Sequence, residues 1–223
     1  MLRLSNNDLL VPFETYKHFD DPSPWSANSA IAVSHDDGTT WSSRNIVVDP
    51  SHQISYFDPH IYVTREGALF DLTWTDDRRK PGASEIQCTR STDAGHTWSK
   101  IAPTGIQGQY STLSPLPDGR WLMLYVVRHG DSAIRIALGS ADGTTWQTQD
   151  DWVLYSQRAN DLAKSKGKEF GDYLLNMGEW TFGWPSMTPL RDGTILTAYY
   201  AGAGDRSSIY LARLTVDDRA SRT

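Results

Sequence analysis

Acids, amides, an arginine and aromatics recur where apolar runs of this sequence begin or end. Glu14 closes "LLVPFE", Asp76 and Asp77 follow "LTWT", Arg128 follows "RWLMLYVV", and Tyr199 and Tyr200 end "TILTAYY". Asp58 and His60 stand in "SYFDPH", Gln107 and Gln109 in "GIQGQYS", and Glu179 and Trp180 near the end of a long polar stretch. Gathered in one concavity, such groups suit a sugar. Amides and acids hydrogen-bond hydroxyls, a guanidinium pairs with a sugar carboxylate, and an indole stacks on a ring. Two carboxylates about 5–5.5 Å apart support glycoside hydrolysis with retention, and about 6.5–9.5 Å apart with inversion. Asp58, Glu14, Asp76 and Glu179 are the candidates for that pair. Arg128, His60, Gln107, Gln109, Trp180 and Tyr200 are the candidates for holding substrate. The reading invokes neither a metal nor a cofactor.

Each residue also has a plainer reading. Asp58-Pro59 is a common turn-capping pair. Asp77 with Arg78 and Arg79 can be a solvated charge run. A lone His60 is more often structural than catalytic, and it matters only if its ring reaches an acid. Glu14 and Arg128 stand out because they end strands instead of decorating loop tips.

The elements that would carry these residues repeat. "SHDDGTTW" (Ser34–Trp41), "STDAGHTW" (Ser91–Trp98) and the shorter "SADGTTW" (Ser140–Trp146) share one skeleton of Ser, Asp, Gly, Thr and Trp. The first serines of these stretches lie 57 and then 49 residues apart. Repetition near that period marks propeller-type arrays. Tight-turn signals interleave with them: "NND", "REG", "PDG" and "RDG", each between apolar or alternating runs. These are hairpin signatures. The unit is four antiparallel strands, with the Ser/Asp stretch turning the third strand into the fourth. Strand direction then sends the hairpin and Ser/Asp turns to one face. The second-to-third loops, the links between units and the candidate residues go to the other. Four units are expected over residues 1–49, 56–104, 109–156 and 183–218, as one domain over 1–223. An insert over 157–182 reads as a short helix plus loop on the rim of the pocket.

On these motifs the chain resembles the sialidase (neuraminidase) superfamily, whose Asp-box has the Ser-x-Asp-x-Gly-x-Thr-Trp pattern. The resemblance implies an all-β fold, a six-bladed β-propeller, in which the boxes are structural. About four blades are present, so the expectation is a chain lacking about two N-terminal blades. Self-association through open propeller edges would follow. The resemblance also implies arginines clamping a substrate carboxylate, a Tyr nucleophile paired with a Glu, and an Asp acid. Where that Tyr would stand, at the innermost strand of the last blade, this chain reads "FGWPSMTPL" with Trp184 before Pro185. The implied activity is that of an exo-type glycoside hydrolase on a terminal, acidic sugar. A polysaccharide lyase, with His60 or Tyr200 abstracting a proton and Arg128 neutralising a uronate, stays open. So does a non-catalytic carbohydrate-binding propeller.

Composition agrees with a sugar partner and argues against others. The 223 residues include nine Trp and ten Tyr, and the net charge of −6 comes with no basic run, so nucleic acid is not an expected partner. No apolar stretch approaches the ~18 residues of a membrane helix. The lone Cys88 allows no intrachain disulfide and reads as a buried apolar residue. No signal peptide is read at Met1, and localisation stays open.

Overall fold

The structure, a computed structural model, describes residues 1–18, 20–22, 26–128, 131–157, 181–203 and 206–216. Among these every regular element is a strand. The first sheet contains β1 (Leu2–Arg3), β2 (Leu9–Thr15), β3 (Asn28–Ser34) and β4 (Ser42–Val47). The second contains β5 (Ile54–Val63), β6 (Leu69–Asp77), β7 (Ser84–Ser91) and β8 (Ala102–Gln107). The third contains β9 (Ser111–Pro115), β10 (Trp121–Val127), β11 (Ala133–Gly139) and β12 (Trp146–Ser156). β13 (Phe182–Pro189), β14 (Ile195–Ala203) and β15 (Arg206–Leu214) form the fourth. Each sheet is an antiparallel meander in sequence order. The four are arranged as propeller blades, and the innermost strands β5, β9 and β13 adjoin in turn.

Alternation explains how the blades stack. Along β6, Leu69 packs with Leu10, Ile31 and Ile61 toward the first sheet, while Phe70, Leu72 and Trp74 pack toward the third. Along β10, Trp121, Met123 and Tyr125 face the second sheet, and Leu122, Leu124 and Val126 face the fourth. A middle strand buried on both faces has to be apolar throughout, which is why "WLMLYVV" is unbroken. The seam between the first two sheets has a polar upper half, where Ser29, Asp71, Thr73 and Thr75 are all buried.

The Ser/Asp stretches are the turns from third to fourth strand, and their side chains replace missing backbone partners. Asp36 Oδ1 accepts from the Thr40 N–H at 2.8 Å, and Ser34 Oγ accepts from the Gly38 N–H at 2.8 Å. In the second sheet Thr97 N–H reaches Asp93 Oδ1 at 2.9 Å, and Gly95 N–H reaches Ser91 Oγ at 2.9 Å. The third turn, one residue shorter, uses Thr145 N–H to Ser140 Oγ at 3.1 Å. The indole N–H of each Trp donates to the carbonyl of its own turn glycine: Trp41 to Gly38, Trp98 to Gly95 and Trp146 to Gly143. Trp98 and Trp146 also pack on blade cores. Trp41 stays 44% exposed, so its ring is held by its turn more than by a core.

Arginines join neighbouring blades on this face. Arg44 reaches the Gly95 carbonyl at 2.6 Å, Arg65 reaches the Pro117 carbonyl at 2.7 Å, and Arg90 donates to the Asp142 carbonyl.

Candidate functional site

Opposite the turns, residues of β2, β5, β9, β10, β13 and β14 converge. β1 pairs only with Leu9 and Leu10, so the far half of β2 has no inner neighbour within its own sheet among the described residues. Glu14 therefore faces the axis from a second strand. β2 lies against β5, and the Asp58 backbone N–H donates to Glu14 Oε1. Tyr16 donates its hydroxyl to Glu14 Oε2. Burial pushes the Glu14 carboxyl up to about 7, opposed by the Asp58 N–H and reinforced by the Asp58 charge.

Asp58 sits on a β-bulge. Phe57 pairs with Trp74 and His60 with Leu72, so Asp58 and Pro59 together oppose Thr73 alone. Asp58 has φ of 49°, a left-handed value inside a strand. Thr73 Oγ1 donates to the Phe57 carbonyl at 2.7 Å and secures the bulge. The Trp74 indole N–H donates to Asp58 Oδ2 at 2.7 Å. Burial raises the Asp58 pKa, while the Trp74 hydrogen bond, His60 and Arg128 pull it down. Burial lowers the His60 pKa and so favours the neutral ring; the Asp58 charge opposes this. Among the described residues, His60 Nδ1 is buried with no hydrogen-bond partner.

The third sheet supplies Gln109, Tyr110 and Arg128. Pairing continues past β9 through Gln109 N–H to the Val126 carbonyl, 2.8 Å, and Val126 N–H to the Tyr110 carbonyl, 3.0 Å. Gln109 is buried and its Oε1 accepts from Arg128 Nη1 at 3.5 Å. The Tyr110 ring meets the His60 ring edge-on at 5.2 Å. Burial first, then the nearby Tyr62 and Asp58, raises the Tyr110 pKa. From the fourth sheet, Tyr200 pairs with Gly183 across β13–β14.

Glu14, Asp58, His60, Gln109, Arg128 and Tyr200 thus come together. Asp76 shares the Trp74 side of β6, two residues nearer the open end. Gln107 does not join them. It was expected near the start of an innermost strand, but it closes β8, the outer strand of its sheet, where its side chain is exposed. Asp77 forms an ion pair with Arg79 at 2.7 Å, as the charge-run reading anticipated. Glu179 and Trp180, with the expected helix and rim, lie outside the described residues. Sequence reasoning passed over Tyr16, Trp74, Tyr110 and Asp71. Asp71 had a visible signal: a carboxylate in the middle of the apolar run "LFDLTW". Among the described residues no group of three or more His, Cys, Asp or Glu is set to hold a metal ion.

Radial three- and four-stranded meanders with polar turns on one face and convergent side chains on the other define a β-propeller of the sialidase type. The BNR repeat-like domain matches residues 1–197, and the chain belongs to that family. No curated protein matches it. Among solved structures, a protein of unknown function from Dyadobacter fermentans is similar at TM-score 0.72 and 22% identity, over 96% of this chain and 51% of its own. The Hadza microbial sialidase Hz136 gives TM-score 0.64 at 13% identity, over 94% of this chain and 42% of its own. An α-L-arabinanase from Penicillium chrysogenum, complexed with arabinobiose, gives 0.57 at 15%, over 95% and 60%. The chain therefore spans about half the length of the first two of these structures.

Proposed function

We propose that the protein is a carbohydrate-active propeller and, within that class, an exo-type glycoside hydrolase that removes a terminal, acidic sugar. The observation that carries this reading is the contact between Glu14 and the Asp58 bulge, which brings two carboxyl groups, both with pKa raised by burial, from neighbouring sheets together beside Arg128. Glu14 holds a proton near neutrality and donates it to the glycosidic oxygen. Asp58, its pKa raised by burial but pulled back down by Trp74, His60 and Arg128, acts as the carboxylate on the anomeric carbon directly or through water. Arg128 pairs with the substrate carboxylate. Gln109, Tyr200 and His60 hold hydroxyls. Asp76 and Glu179 are the alternative acids, with Trp180 on the rim. The Ser/Asp turns serve as Asp-boxes, holding one domain over residues 1–223 without touching substrate. Exposed Ile209 and Leu211 on β15, an edge strand among the described residues, support self-association, which light scattering tests.

A panel of aryl glycosides that includes a sialoside and a glucuronide tests the reading. Cleavage of an acidic member is expected, with Glu14→Gln and Asp58→Asn each losing about 10²–10⁴ in rate. Fully active variants, or no cleavage at all, would overturn the assignment.

A second reading, a polysaccharide lyase, is favoured by one observation: His60 is kept neutral by burial and its Nδ1 has no partner among the described residues. A neutral imidazole is a competent base for the proton α to a uronate carboxylate. Ultraviolet absorbance from an unsaturated uronate product, formed without uptake of water, would select it. Sugar binding with no turnover of any substrate would select the non-catalytic reading.

A further inference from the structure

Seven non-glycine residues have positive φ among the described residues, and five of them lie in turns and loops. Only Asp58 and Trp184 lie inside strands, with φ of 49° and 46°. Their surroundings match. In β13, Gly183 pairs with Tyr200 and Ser186 with Ala198, so Trp184 and Pro185 oppose Tyr199 alone. This is the bulge of Asp58 and Pro59 again, two sheets further on, with an indole where the first has a carboxylate.

A left-handed φ is a severe outlier for so bulky a side chain, and such strain gathers at functional sites. Core burial does not explain Trp184, because it remains 51% exposed. Its ring lies 4.6 Å from the Tyr110 ring at an interplanar angle of 49°. Tyr110 in turn meets His60, which neighbours Asp58. Three rings thus run from the fourth sheet to the second across the candidate site. Beneath the indole, Gly183 admits close approach. A Cβ there would come within 2.9 Å of Arg128 Nη2 and 3.1 Å of the Tyr200 hydroxyl oxygen.

We propose that Trp184 is the ring platform of the site, carrying the apolar face of a pyranose whose carboxylate reaches Arg128. This rests on the carbohydrate reading above and adds the surface that binds the sugar. The indole supplies a flat, half-exposed apolar face, and the contiguous C–H bonds of a pyranose fit it. The bulge turns that face out of the strand's alternation and toward the axis. The guanidinium lies beside Gly183, the residue before Trp184, so one rigid sugar spans both contacts.

The test is saturation-transfer NMR on the full chain with N-acetylneuraminic acid, D-glucuronic acid, D-galacturonic acid and neutral D-mannose, beside thermal melting. Wild-type protein is expected to bind an acidic sugar. Trp184→Phe should hold it within about threefold, and Trp184→Ala should weaken it about tenfold or more. Trp184→Gly, which accepts the left-handed φ, should lose binding while melting no lower than wild type. Acidic-sugar binding unchanged in Trp184→Ala, or a large drop in melting temperature for Trp184→Gly, would overturn the platform and leave the hydrolase reading standing. Binding of mannose alone, lost in Trp184→Ala, would overturn the acidic substrate and keep the platform. Failure of wild-type protein to bind any of the four sugars would overturn both.

Discussion

At the residue scale, burial separates the carboxylates into two populations. In the turns, hydrogen bonds from Thr and Ser hold Asp36 and Asp142 down at about 2. In the seams, burial pushes Glu14 up to about 7 and Asp71 up to about 6. A general acid at Glu14 loses its proton as pH rises through about 7, so the rate should fall above that value. Glu14→Gln should remove that limb from the pH–rate profile of the panel substrate. Asp71 provides a separate test by stability. It is buried, accepts from Ser29 Oγ at 2.7 Å through Oδ2, and has no partner for Oδ1 among the described residues. Because its folded pKa lies above the unfolded value, the folded state retains the proton. The associated stability is complete below about pH 4 and lost as pH rises through about 6. Asp71→Asn should abolish this loss, stabilising the fold at pH 8 by an amount on the order of 3 kcal/mol and so raising the melting temperature there. A lower melting temperature at pH 8 would show that the charge itself is needed. Ser29 pairs with Glu14 across β2–β3, so the same variant also reports whether this seam aligns the site.

At the element scale, the turns and the bulges divide the work. Trp98 is partly buried against Leu10, Ile31 and Leu69 and anchors the second Ser/Asp turn. Trp98→Ala should cost about 2–3 kcal/mol in urea unfolding, below the ~3–5 of a fully buried ring, with activity per folded molecule unchanged. Loss of activity at full stability would place that turn in the site. The turns were readable in the sequence because Ser, Asp, Gly and Thr at fixed spacing specify local hydrogen bonds, which need no tertiary partner. Strand order was readable for the same reason, since alternation and turn signals are local. The bulges were not. "FDPH" and "GWPS" share only a proline, and the left-handed residue before it is fixed by pairing with β6 and β14. Trp184 therefore read as a missing tyrosine instead of a presented indole. Gln107 misled for a related reason: the link from outer to inner strand turns at Gly108, so Gln107 closes β8 while Gln109, ahead of β9, already pairs with Val126 of β10.

At the scale of the whole molecule, every core cluster among the described residues is shared between blades. One cluster joins the first and second sheets, a second the second and third, and two more the third and fourth. Among the described residues no sheet keeps a core of its own, so calorimetry should record a single transition whose van't Hoff and calorimetric enthalpies agree. Two resolved transitions would mean that the seams are weaker than their shared side chains imply. The separation of faces also has a practical consequence. Cys88 is the only thiol in the chain, and burial pushes it up to about 12, so it stays unreactive toward alkylating reagents while the protein is folded. A cysteine introduced at exposed Glu66, on the β5–β6 turn, would be the sole handle for maleimide coupling. Protein grafted through it onto a sensor chip would stand with its turns against the support and its mouth toward the analyte.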